Sequence, residues 1–138
     1  MSIVHRDYLV RMIEQCVVAI AEIAALIRAG EFDLALIVVR KTSDLVLGSL
    51  GPVYERLDAA SVVDLIGKYD LDRVRMYAAL LAEEGTIRER TGQVPRARYC
   101  FSRALDLYNA IAQSGAQLRT ADWERMDMLR PKVEAVSG

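Results

Sequence analysis

Residues 81–108, LAEEGTIRERTGQVPRARYCFSRALDLY, decide the fold. Two helical patterns flank Gly92-Gln93-Val94-Pro95, and this spacing predicts two antiparallel helices joined by a short turn. Ala97, Phe101, Ala104, Tyr108 and Ile111 step by four and three residues, the clearest amphipathic stripe in the chain. Pro95 suits the first turn of a helix, where its missing N–H has no intrahelical partner to lose. Gly85, Ala97 and Ala104 are small enough for two helix backbones to approach closely, with Phe101 filling the space between them.

Toward the N-terminus the same design recurs 62 residues earlier. Gly30, Phe32, Ala35 and Val39 repeat the spacing of Gly92, Val94, Ala97 and Phe101, which points to two helical hairpins of similar build. Residues 34–39 are all apolar and include three β-branched side chains, a composition that also suits a strand. The apolar positions continue at Thr42, Leu45, Val46 and Leu50, past ordinary strand length, so a helix is expected. Gly48, Gly51 and Pro52 end it.

The first helix is expected from about Arg6 to Arg28, with Asp7 in its first turn and Gly30 beyond its end. Leu9, Ile13, Cys16, Ile20, Ala24 and Ile27 form one stripe; Tyr8, Met12, Ala19, Ile23 and Leu26 form another beside it. Only a narrow strip of Arg11, Glu14 and Glu22 remains for water, interrupted by Val18, Ala21 and Ala25. A helix apolar over most of its circumference needs neighbours on several sides. Covering the surplus with a second copy gives an isologous homodimer, with Val17, Val18, Ala21, Ala25, Val38 and Leu45 as candidate self-association residues. The rival account lays the short helix near residues 61–66 and the last helix over this surface.

Beyond the second helix, residues 53–57 form a connector. Asp58 or Ser61 caps a short helix ending near Gly67, and Asp70 or Asp72 caps the fourth long pattern. Thr120 caps a last helix carrying Trp123, Met126, Leu129 and Val133; Trp123 with Met126, Met128 and Leu129 reads first as docking that helix and second as a partner-facing patch, and Pro131 kinks or loosens it. The expected architecture is one all-α domain over residues 1–138, with five longer helices and one short helix packed as antiparallel hairpins.

Gly85, Gly92, Ala97, Phe101 and Ala104 resemble the small and aromatic positions of a tetratricopeptide (TPR) hairpin. The segments DYLVRMIEQ, GEFDLAL, DAASVVDLI and EEGTIRERTGQVPRA are together similar to an uncharacterised family of small bacterial helical proteins, to which no activity is assigned. The TPR resemblance implies a right-handed helical array and a scaffold role without chemistry of its own. Glu84, Arg88 and Val94 stand where a TPR usually has Leu, Tyr and Tyr. The Lys and Asn of peptide-carboxylate clamps are replaced at the matching positions by Ala82 and Thr86.

The composition sets bounds on partners. Eighteen Lys and Arg against 19 Asp and Glu leave a net charge of −1 in 138 residues, so no global field draws nucleic acid or an anionic membrane. The N-terminus lacks a cationic stretch followed by an apolar one, and residues 16–27 are too few to span a bilayer. Cys16 and Cys100 have neither metal-ligand nor redox spacing and read as reduced, buried thiols. A cytoplasmic location follows as the expectation.

Candidate chemistry is sparse. His5 is the single histidine and lies at the extreme N-terminus, which disfavours His-based catalysis and His-rich metal sites. No phosphate-binding loop or nucleophile elbow is present. Glu83, Glu84 and Glu89 read as surface charges; Glu22 reads first as water-facing and second as an acid meeting a cation across an interface. Arg88, Arg96 and Arg103 form a weak candidate anion patch, with Arg90 and Arg98 beside them, for an acidic peptide or a nucleic-acid phosphate. Solvated helix flanks are the simpler account. Tyr77, Tyr99, Phe101 and Tyr108 read as core before they read as a ligand groove. The expected function is therefore a non-enzymatic interaction module acting as a homo-oligomer, without catalytic, cofactor or metal residues. A small-ligand pocket between helices and the arginine patch are the alternatives.

Overall fold

A computed structural model describes residues 3–67 and 70–137; the side chains of residues 3–5, 67 and 135–137 lie outside that description, and the expectation for His5 with them. The chain runs α1 (Ile3–Arg28), α2 (Phe32–Leu47), α3 (Gly51–Arg56), α4 (Ala59–Val62), α5 (Leu71–Arg90), α6 (Val94–Gln113) and α7 (Thr120–Ser137). A single 3₁₀ turn, Gly48–Leu50, joins α2 to α3, and a π-helical turn, Val63–Gly67, extends α4. The protein is all-α, and the described residues form the five longer helices that the periodicity predicts.

Three boundaries differ from expectation. α1 begins at Ile3, so Asp7 sits beyond its first turn. The connector over residues 53–57 is mostly helical, because Pro52 falls at the start of α3, where proline is tolerated. Thr120 is the first residue of α7 rather than a residue before it. The helix continues past Pro131 to Ser137. Elsewhere the caps are as read: the Asp58 carboxylate accepts the Ser61 N–H at 2.7 Å and the Asp70 carboxylate accepts the Arg73 N–H at 3.2 Å.

The two hairpins close in the same way. Gly30 and Gly92 have φ of 75° and 78°, a left-handed conformation that favours glycine. Glu31 N–H donates to Leu26 O at 2.9 Å and Gln93 N–H to Arg88 O at 2.8 Å. Gly30 N–H donates to Ile27 O at 3.0 Å and Gly92 N–H to Glu89 O at 3.2 Å. Each turn is thus a Schellman motif, which satisfies the last carbonyls of one helix and delivers the chain directly into the next. Every one of these bonds recurs at the offset of 62 residues seen in the sequence.

The helices pack in chain order: α1 on α2, α2 on α5, α5 on α6 and α6 on α7, with α1 also touching α5. Cys16, Ile23, Ala35, Val46, Val74, Ala78, Phe101, Ala104, Leu107 and Ile111 form the centre of a continuous core. At Gly85 the Phe101 ring of α6 lies directly against the α5 backbone. A Cβ placed there would lie 2.6 Å from the Phe101 ring.

α7 is held by charge as well as by Met126 and Leu129. Arg75 Nε donates to the Asp122 carboxylate at 2.9 Å, its two terminal nitrogens reach Asp72 and the Gln117 carbonyl, and both charged side chains are buried. Asp122 also accepts the Arg119 N–H at 2.9 Å, and the Arg119 guanidinium reaches Asp72 at 2.7 Å. A buried charge is tolerable only when its hydrogen-bonding capacity is met in this way.

Candidate interaction surfaces

The long first helix turns one face to the core and the other to water. Leu9, Met12, Cys16, Ile20, Ile23 and Ile27 are buried at 3.6-residue periodicity. On the opposite side Val10, Val17 and Val18 are exposed at 48, 56 and 69%, and Ala21 and Ala25 are exposed with them. α4 packs on α6, while α7 packs on α6 and α5; neither covers this face. On α2, Leu34 and Ile37 are also exposed, whereas Val38 and Leu45 are half-buried against the core.

The six candidate self-association residues therefore divide. Val17, Val18, Ala21 and Ala25 lie together on the outer side of α1. Leu45 borders a cleft of about 250 Å³ on another side of that helix, with Tyr8, Arg11, Met12 and Gln15. A second open cleft, of about 370 Å³, runs on from it past Arg11, Gln15, Val18 and Glu22. The two share Arg11 and Gln15, so a shallow trough follows α1.

Arg88, Arg96 and Arg103 are not free cations; Arg90 and Arg98 beside them are exposed. Arg88 Nε and Arg96 Nε both donate to Glu84, at 3.2 and 3.1 Å, and Arg88 also donates to the Gln93 side chain at 2.8 Å. Arg96 stacks over Tyr99 with its guanidinium carbon 5.0 Å from the ring centroid. Arg103 is elsewhere: it is buried, and its terminal nitrogen donates to the Tyr54 carbonyl at 2.8 Å. Helical spacing puts Arg96 and Arg103 on one face, but α3 claims the second of them for a structural contact.

Glu84 is the acid that the sequence undervalued. Read as a surface charge, its side chain is only 13% exposed and gathers two guanidinium groups. Its i,i+4 spacing to Arg88 was the available signal. The pairing with Arg96 crosses between helices and had none. Burial, with the Glu84 charge adding to it, pushes the Cys100 thiol to about 12. Such a thiol stays protonated at neutral pH and is a poor nucleophile. Cys16 is likewise buried, its thiol raised by desolvation, and both cysteines are free.

Of the four aromatic residues weighed as a ligand groove, Tyr77, Phe101 and Tyr108 are core, and only Tyr99 is exposed. The docking expectation holds for Met126 and Leu129 but not for Trp123 or Met128, which are exposed. Trp123 is 50% exposed while Met126 and Leu129 are buried, so those two dock α7 and the indole faces water. Among the described residues no group of His, Cys, Asp and Glu is placed to hold a metal, and no helix is long and apolar enough to cross a membrane.

Comparison with protein-family models, curated proteins and solved structures gives no match. Function rests on this chain's own surfaces.

Proposed function

We propose that the protein is a non-enzymatic protein–protein interaction module, built from TPR-like hairpins and acting as a homo-oligomer. The observation that carries this reading is the uncovered outer side of α1, where Val17 and Val18 stand more than half exposed. Apolar side chains grouped on one rigid helix are the usual mark of a contact surface. The repeated Schellman turns and the Gly85–Phe101 contact support the TPR-like description, since both make close antiparallel helix pairs. The principal polar clusters support a structural use of the charges: Glu84 is engaged by Arg88 and Arg96, and Asp122 by Arg75.

Light scattering over a range of concentrations tests the proposal. The expected result is a mass twice that of the chain at micromolar concentration, reduced to the monomer by Val18→Lys with an unchanged helical circular dichroism spectrum. A wild-type chain that stays monomeric overturns it.

A further inference from the structure

The trough along α1 has an internal symmetry that names its occupant. Tyr8, Arg11, Gln15, Val18, Glu22 and Ala25 follow one another at intervals of three, four, three, four and three, the spacing of a two-helix seam. All six are exposed. They also form three pairs centred on one point midway between Cys16 and Val17: Arg11 with Glu22, Gln15 with Val18, and Tyr8 with Ala25. A twofold axis through that point, with two copies of α1 antiparallel, brings the members of each pair together across the interface.

Each such pair is complementary. Arg11 meets the partner's Glu22, opposite in charge, and this happens twice. Tyr8, the largest side chain of the seam, meets the partner's Ala25, the smallest, so that large packs over small. Val18 lies over the methylene groups of the partner's Gln15. A parallel arrangement would set Arg11 on Arg11 and Glu22 on Glu22, which is repulsive. Among the described residues neither Arg11 nor Glu22 forms an ion pair within its own chain; the contact closest to one is Arg11 Nε to the Asp7 carbonyl at 3.5 Å.

We infer that the partner bound by this surface is a second copy of the chain, seated antiparallel along α1 in the register that pairs Arg11 with the partner's Glu22. The inference rests on the proposed homo-oligomer and specifies it. The seam runs along the Tyr8–Val18 side of the helix and leaves Val17 and Ala21 at its flank. A seam with three polar positions trades stability for register, which suits a dimer that dissociates at low concentration.

Charge reversal tests the register. Arg11→Glu and Glu22→Arg each place like charges together at both ends of the seam, and each variant alone is expected to sediment as a monomer. The double variant R11E/E22R restores both pairs, and so does an equimolar mixture of the two single variants, which should form a heterodimer. Thermal melts by circular dichroism verify that each variant remains folded. Recovery of the dimer in both the double variant and the mixture supports the inference. A dimer insensitive to the single reversals, or single variants not rescued by the second change or by mixing, overturns the register while leaving self-association intact. A wild-type monomer overturns both.

Discussion

Gly85 lies where α5 and α6 nearly touch, and the Phe101 ring occupies the space that any Cβ would need. Gly85→Ala gains about 1 kcal/mol in helix propensity. It loses about 1–3 kcal/mol by forcing a ring that is 1% exposed out of place. The expected outcome is net destabilisation in a urea melt; a stabilised variant would mean that the ring moves freely. Glu83, its neighbour but one, behaves differently. Burial holds its carboxyl above the ordinary value of 4.5, with Arg125 acting the other way. A raised carboxyl pKa means that the folded chain keeps a proton which the unfolded chain releases. Stability is therefore lost as pH climbs through the unfolded value to the folded one, and stays lower above it. Glu83→Gln should raise the melting temperature at neutral pH by roughly 1–3 °C and leave it unchanged in strong acid. An equal effect at both pH values would show that charge is not the cause.

At the scale of elements, the hairpin turns are the most legible feature of the chain. Gly30 and Gly92 announce themselves because a left-handed residue at a helix end is chemically distinctive and leaves a local trace. Gly30→Ala and Gly92→Ala should each cost about 1–2 kcal/mol, and the two costs should agree, since the turns share conformation and hydrogen bonds. Unequal denaturation midpoints would count against that equivalence. Helix type was legible for the same local reason: the apolar period continues past residue 39, beyond the reach of a strand. What stayed hidden depends on residues far apart in sequence. Nothing near Arg103 announces the Tyr54 carbonyl 49 residues away, and nothing near Arg75 announces Asp122, 47 residues on. Trp123 misled because a large aromatic side chain on an amphipathic pattern suggests burial, while the turn of the helix favours Met126 and Leu129.

For the molecule as a whole, the helices form a sequence of neighbours with two unlike ends. The surplus of apolar residues on α1 was visible in the sequence, but which side of the helix stayed open was not, because that depends on where α4 and α7 come to rest. At the far end α7 rests on α6 and is stapled through Asp122 to Arg75, with Arg119 and Asp72 joining the network. At the near end no described residue covers the outer side of α1. This inequality determines how far assembly can proceed. Helical arrays with two sticky ends add units head to tail and grow into filaments, because every addition leaves a fresh end. The proposed twofold contact between α1 helices uses both open ends at once and leaves only the α7 ends outward. In that dimer polymerisation stops at the first step. Mass measured at rising concentration should level off at twice the 15.4 kDa of one chain, and a continuing climb would mean that the α7 end is adhesive too.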